Sequence, residues 1–149
     1  MNLQKAIPRE AISLELQGNS KAEIIAELVD LAARTGRIPD RKIAVKAVME
    51  REKKMSTGMH HGLAIPHGKS DSVDSLVASL GILKEGVEFE SMDGQPSRIF
   101  ILTVSPANRA GPHIQFLAEV SRLFNRGDVR GKMLTAESPD AVHQLLINS

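Results

Sequence analysis

An apolar stretch near the middle of the second half most constrains how this chain can fold. It runs Arg-Ile-Phe-Ile-Leu-Thr-Val from Arg98 to Val104, and a continuous apolar run of this length predicts a strand at the centre of a sheet. The segment from Val73 to Leu83 predicts a second central strand. The residues between them, Lys84 to Gly94, are polar and end in a Met-Asp-Gly turn. They indicate a hairpin-like or looped connection.

Two helical patterns precede these strands. Ser20 and Glu23 form a capping box before a helix that should end near Gly36. A second helix is expected to begin at Pro39-Asp40. At helical spacing its inward stripe consists of Ile43, Ala44, Ala47, Val48 and Arg51. The arginine should therefore sit on the core side of the last turn.

A third amphipathic helix is predicted after the loop from Ser105 to Gly111, with Pro112 at its first position. His113 lies three and four residues before the first two members of the apolar stripe, so it belongs to the buried face at the N-terminal end. Asp128 and Ser138 are expected to cap two further short helices. The stripe of the third helix contains Phe116, Leu117, Val120, Leu123 and Phe124.

These patterns favour an α/β fold, a three-layer sandwich in which a mixed β-sheet is covered by helices on both faces. The length of 149 residues is typical of a single domain covering 1–149. A net charge of +1 gives no indication of nucleic-acid or membrane binding. The absence of cysteine excludes disulfides, a thiolate nucleophile and Cys-ligated zinc. With neither a signal-peptide core nor an apolar run of about 18 residues, we expect a cytoplasmic protein without membrane insertion.

His67 is the most conspicuous candidate for chemistry. Leu63, Ile65 and His67 alternate with two other residues, which predicts a strand with the histidine on the face of two core residues and at its last position. Pro66 cannot donate a ladder hydrogen bond and so fits a strand that is ending. Gly68 is expected to leave room for a partner's side chain. The imidazole should therefore be presented rather than buried.

In combination, these motifs resemble the IIA domains of the bacterial phosphoenolpyruvate-dependent sugar phosphotransferase system, in the fructose, mannitol and nitrogen-regulatory branch. The resemblance spans Ser20 to Leu146. It rests on the Ser-Thr-Gly turn at 56–58, the Ala-Ile-Pro-His segment at 64–67, Asp93-Gly94, and the Pro112-His113 helix start. The fold of that family agrees with the sandwich expected from the residues.

The resemblance implies a phosphohistidine carrier. His67 would take a phosphoryl group from the carrier HPr or a homologue and pass it to a IIB component. His113, near a helix N-terminus that favours a neutral imidazole and an anion, would donate a hydrogen bond to the phosphoryl oxygens. Arg51 would balance the added negative charge. No G-x-x-x-x-G-K-[ST] loop occurs, so the donor should be another protein, and no cofactor is expected.

Two other functions are compatible with the same residues. In a nitrogen-type regulatory protein, the phosphorylation state of His67 would control binding to kinases, transporters or other regulators. In a metal-dependent hydrolase, His60, His61, His67 and His113 would hold zinc, although adjacent histidines on a strand point in opposite directions.

The sequence also departs from the family pattern, because His60 and His61 occupy a turn where small residues are usual. We expect them to narrow access to His67, change partner choice or add a pH-dependent charge. If exposed, four apolar residues are candidates for a docking rim: Met55, Met59, Leu63 and Ile65. Three lysines could attract an acidic or phosphorylated partner: Lys53, Lys54 and Lys69.

Overall fold

The computed structural model of the chain describes residues 1–147, so the last two residues of the predicted domain lie outside the described part. The elements in chain order are α1 (Leu3–Ala6), a 3₁₀ turn (Arg9–Ala11), β1 (Ile12–Ser13), α2 (Lys21–Ala33), α3 (Arg41–Lys54), β2 (Leu63–Ala64), β3 (His67–Lys69), β4 (Val77–Val87), β5 (Ser97–Ser105), α4 (Ala110–Phe124), α5 (Gly127–Thr135) and α6 (Pro139–Leu145). Within 1–147, no helix is both long and apolar enough to cross a bilayer.

The five strands of the described chain form one mixed sheet. Its order is β1-β4-β5-β2, and the short strand β3 also pairs with β5. β4 and β5 are antiparallel, as expected for a hairpin-like connection, whereas the other pairs are parallel. The two short strands around the His67 motif, β2 and β3, therefore both pair with β5.

The first long strand is displaced from its predicted position at Val73 to Leu83. It begins at Val77 and continues to Val87. The start is late because Ser70 and Ser72 hydrogen-bond each other, and the Ser70 hydroxyl also accepts from the Ser72 amide, which prolongs a turn. The strand continues past its predicted end because Val87 still pairs with Ser97 after a register shift. The polar connection between β4 and β5 is therefore shorter than the sequence predicts.

Helices cover both faces of the sheet, which confirms the three-layer sandwich. Along β5, Ile99 and Ile101 belong to the apolar core formed with α1, α4, α5 and α6. Phe100, Leu102 and Val104 alternate with them and belong to the core formed with α2 and α3. β5 reads as an apolar run because it is buried on both sides.

Helix starts follow the predicted signals with small differences. The hydroxyls of Ser20 and Ser138 accept from the amides three residues later, which confirms both caps. Asp128 lies inside the first turn of α5, since that helix begins at Gly127. Pro112 is the third residue of α4 rather than the first. A turn in which the Arg109 amide donates to the carbonyl of residue 106 brings the chain into the helix earlier.

The inward face of α3 differs from the predicted stripe. Ile43 is 47% exposed, and the buried residues of this helix are Ala44, Val48 and Glu52. Arg51 is half-buried at the side of the helix. The buried line thus follows i, i+4 spacing and ends on an acid rather than on the arginine, because Glu52 has polar partners inside the protein.

Candidate functional site

His67 stands at the beginning of a strand rather than at its end. β2 stops at Ala64, the chain crosses Ile65 and Pro66, and β3 starts with His67. The Pro66 carbonyl accepts from the Thr103 amide at 3.2 Å, which guides the chain into β3. Pro66 has no N–H to continue the ladder, so it separates two short strands.

The sheet register determines which face His67 occupies. His67 pairs with Thr103, and Gly68 pairs with Val104. Val104 faces α2 and α3, so the neighbouring His67 must face α4, on the same side as the buried Leu63 and Ile65. The predicted face is therefore confirmed, although the predicted strand end is wrong.

Gly68 does not leave room for a partner, contrary to expectation. A Cβ on this residue would lie 2.8 Å from the Val48 amide nitrogen and 2.9 Å from the Ala47 carbonyl carbon. The backbones of β3 and α3 pack directly on each other at this point. The glycine serves the fold by letting α3, and with it Arg51, approach the strand that carries His67.

The His67 ring is oriented by the main chain. Its Nδ1 lies 2.9 Å from the Ile65 carbonyl oxygen. A carbonyl oxygen can only accept, so Nδ1 carries the proton and Nε2 has the free lone pair in the neutral ring. The half-buried side chain thus has one nitrogen fixed and the other available as a nucleophile.

His113 lies on the buried face of α4, as its spacing predicts, and its ring is next to that of His67. The two ring centroids are 5.0 Å apart and the planes are inclined by 44°. His113 is buried. Burial lowers the pKa of His67 from its ordinary 6.5, and the nearby Arg51 and Lys69 oppose the charged form further. Burial, with His67 as a neighbour, also lowers the pKa of His113. Both rings are therefore poised to be neutral at pH 7.

The two histidines open onto a pocket of about 460 Å³. Arg51 lines it as well, and its Nη1 donates to the Met55 carbonyl at 2.7 Å, which restrains the guanidinium. The complete lining is Ala47, Glu50, Arg51, Lys54, His67, Gly68, Lys69 and His113. Three cationic side chains face one carboxylate, so the pocket favours an anion.

Comparisons with known proteins identify relatives of this chain. The family model described as "Phosphoenolpyruvate-dependent sugar phosphotransferase system, EIIA 2" matches residues 5–149. The chain belongs to this EIIA 2 family. A fructose-specific EIIA component from Haloferax volcanii is 38% identical over 139 residues, which cover 93% of this chain and 90% of the relative.

Solved structures share the fold of this EIIA 2 chain. The nitrogen regulatory protein IIA-Ntr from Neisseria meningitidis superposes with a TM-score of 0.90 at 26% identity, over 97% of this chain and 98% of that one. A complex of mannitol enzyme IIA with phosphorylated enzyme IIB from Escherichia coli matches with a TM-score of 0.79 at 24% identity, over 92% of this chain and 94% of that one. The proteins similar to this chain thus carry both sugar-specific and nitrogen-regulatory names.

Several residues singled out in the sequence lie elsewhere in this EIIA 2 chain. His60 and His61 are exposed in a loop, with ring centroids 6.2 Å apart, and neither lines the pocket. The hydrolase hypothesis therefore loses its shared site, and residues 1–147 contain no cluster of three potential metal ligands. Of the apolar residues proposed for a docking rim, Met55 is 70% exposed and Met59 is half-buried, whereas Leu63 and Ile65 belong to the core.

Three buried polar atoms near the pocket were not expected. Within the part of the chain that the structure describes, Thr103 Oγ1, Ser105 Oγ and His113 Nδ1 have no hydrogen-bond partner. Thr103 and Ser105 pair in register with His67 and Lys69. Unpaired buried polar groups cost about 1–3 kcal/mol each, so their concentration at one corner favours a functional site over a purely structural one. The signal in the sequence is the pair of hydroxyl residues, Thr103 and Ser105, at the end of the apolar run in β5.

Proposed function

We propose that this EIIA 2 protein is a phosphohistidine carrier that accepts a phosphoryl group on His67 from HPr or a homologue and passes it to a IIB component. The observation that carries the proposal is the 2.9 Å contact between His67 Nδ1 and the Ile65 carbonyl oxygen. It leaves Nε2 as the nitrogen with the lone pair, next to a cationic pocket. Among relatives, one named as a fructose-specific EIIA component supports the transport role.

In the proposed reaction, Nε2 of His67 attacks the phosphorus of a phosphohistidine on the donor protein. The new N–P bond forms as the donor's N–P bond breaks, and the donor imidazole leaves with that electron pair. The proton on Nδ1 stays in its bond to Ile65 throughout. Transfer to IIB is the same step with the acceptor's histidine or other nucleophile in the attacking role.

Charge compensation falls to the side chains around the pocket. A phosphoryl group adds about 1.5 to 2 negative charges. Arg51 would contact its oxygens through the forked guanidinium, with Lys54 and Lys69 adding positive charge. His113, with its ring 5.0 Å from His67, would donate a hydrogen bond to the phosphoryl oxygens. Transfer needs this positioning and electrostatic stabilisation rather than a cofactor.

The test is to incubate the purified protein with phosphoenolpyruvate, enzyme I and HPr and to measure its intact mass. We expect a phosphate-sized gain in the wild type and none in His67→Ala. His60→Ala, which removes an exposed histidine outside the pocket, is the matched control and should gain the same mass. His113→Ala should be labelled more slowly.

Two results would contradict the assignment. One is continued labelling of His67→Ala at the wild-type rate, which would place the phosphoryl group elsewhere. The other is complete loss of label in His113→Ala with the fold intact, which would make His113 essential rather than assisting.

A regulatory function is the second candidate, and the structural match to IIA-Ntr with a TM-score of 0.90 favours it. In that case the charge added to His67 would change the binding of a kinase, transporter or other regulator. Labelled protein mixed with a fructose-type IIB distinguishes the two. Loss of label to IIB supports transport, whereas retention of label, with a partner bound in only one phosphorylation state, supports regulation.

A further inference from the structure

The turn before the His67 segment is held by a buried carboxylate. Glu52 is 5% exposed. Its Oε1 accepts from the Thr57 hydroxyl at 2.6 Å, and its Oε2 accepts from the Thr57 amide at 2.8 Å. The two hydrogen-bond donors of Thr57 are therefore bound by the two carboxylate oxygens of Glu52. This arrangement fixes the position of Thr57 relative to α3.

Thr57 in turn holds the residue that orients the His67 ring. The Ile65 amide donates to the Thr57 carbonyl at 3.1 Å, and the Ile65 carbonyl accepts from His67 Nδ1 at 2.9 Å. A continuous path thus runs from the Glu52 carboxylate through Thr57 and Ile65 to the imidazole. Its last contact determines both the orientation and the tautomer of His67.

The carboxylate is itself restrained from the opposite side. Lys21 Nζ lies 3.0 Å from Glu52 Oε2 and 2.8 Å from an oxygen of Glu90. The same ammonium lies 4.9 Å from the centroid of the Phe89 ring. A buried ion pair is weak evidence of stabilisation, because taking both charges out of water offsets their attraction. Fixing a geometry is a use that fits this arrangement better.

We propose that Glu52 and Thr57 are positioning residues that keep His67 Nδ1 protonated and Nε2 free and aimed into the pocket. The catalytic consequence rests on the proposed phosphorylation of His67. Neither residue lines the pocket, so they act through Ile65 and not by touching the phosphoryl group. Without the Thr57 anchor the Ile65 carbonyl shifts, and the His67 ring samples the tautomer in which Nε2 carries the proton and cannot attack.

The experiment compares Thr57→Val with Thr57→Ser. Valine keeps the shape of threonine and the backbone amide but loses the hydroxyl bond to Glu52. Serine keeps the backbone amide and the hydroxyl bond to Glu52. Nitrogen-15 NMR of the imidazoles, recorded above pH 7, reports the tautomer of His67. His143, whose Nε2 lies 2.9 Å from the Gln4 carbonyl oxygen, is the internal reference. Phosphorylation rates are measured on the same samples with phosphoenolpyruvate, enzyme I and HPr. Glu90→Gln is the matched control, because it changes Lys21's exposed partner and leaves the Glu52–Thr57 bonds in place.

We expect wild type, Thr57→Ser and Glu90→Gln to show His67 protonated at Nδ1. Thr57→Val should show a mixture of His67 tautomers and a phosphorylation rate lower by roughly tenfold, less than the roughly hundredfold loss that a misplacement of about 1 Å can cause. Glu52→Asp, which withdraws the carboxylate from Thr57 while keeping its charge, should act in the same direction. It provides the test if the valine variant does not fold.

Unchanged His67 tautomers in Thr57→Val and Glu52→Asp would overturn the positioning role. The same proportion of His67 tautomers in Thr57→Ser as in Thr57→Val would also overturn it, since serine retains the hydroxyl. These NMR results do not depend on phosphotransfer. Failure of the wild type to become phosphorylated, with the tautomers behaving as described, would refute the proposed function and leave the positioning path standing.

Discussion

Replacement of Gly68 by alanine tests whether the close approach of β3 and α3 builds the site. An alanine Cβ would meet three backbone atoms of Ala47 and Val48 at 2.8, 2.9 and 3.0 Å. These atoms belong to the middle of a helix and cannot rotate away as a side chain would. The helix must therefore move as a unit relative to the strand, and Arg51 lies one turn further along it.

The size of the effect follows from these distances. The contacts are short of an ordinary 3.4 Å contact by about 0.4 to 0.6 Å, and overpacking of this kind typically costs about 1–3 kcal/mol. For a domain of about 150 residues, that corresponds to a lower melting temperature by roughly 2 to 12 °C. Since Arg51 moves with α3, we expect the phosphorylation rate of His67 to fall as well.

The assay is chemical denaturation together with the phosphorylation rate measured well below the melting temperature. Gly131→Ala is the control, since nothing lies within 4 Å of its Cβ and alanine in a helix gains up to about 1 kcal/mol over glycine. Wild-type stability and rate in Gly68→Ala would refute the reasoning. They would show that α3 and β3 separate without cost and that Arg51 does not need its present position.

Two further predictions concern charge. Burial lowers the pKa of His67 and His113 in the folded chain, so the unfolded chain binds more protons below about pH 6.5. The free energy of unfolding should therefore fall as the pH drops through that value. In a His67→Gln/His113→Gln variant this part of the pH dependence should disappear, and a pH dependence as steep as that of the wild type would contradict the prediction. Lys21→Ala leaves the buried Glu52 without its cation and should lower the free energy of unfolding in urea by about 3 kcal/mol. The control Lys46→Ala breaks only an exposed 3.9 Å ion pair and should lower it by less than about 0.5 kcal/mol. Equal losses in the two variants would contradict the importance of burial.

Local periodicity is sufficient to predict the helix that carries His113 and the face of the sheet on which His67 lies. The spacing of His113 to apolar residues predicts that it lies on the buried stripe of α4, and it is buried. The central position of β5 followed from its apolar composition. The 5.0 Å approach of the two rings was not contained in either pattern. It depends on the register of β3 on β5, which is a long-range property.

The errors on α3 and at Gly68 arose where a residue contacts a part of the chain that is distant in sequence. Helical spacing on α3 extended the inward stripe to Arg51, because it could not show that Glu52 is compensated by Lys21 and Thr57. With those partners the acid is buried and the arginine turns to the pocket. The sequence suggests that Gly68 leaves space for another molecule, because it cannot show that α3 packs directly on this residue.

The burial of Glu52 instead of Arg51 links the packing of α3 to the chemistry of the site. Adjacent residues on a helix point about 100° apart, so one of them faces the core and the other faces the pocket beside β3. Burial of Glu52 anchors Thr57 and orients His67 through Ile65. The same rotation of α3 brings Arg51 to the pocket where a phosphoryl group would be held. The orientation of one helix therefore sets both the proposed nucleophile and its proposed counter-charge, and a substitution that rotates α3 should impair the two together.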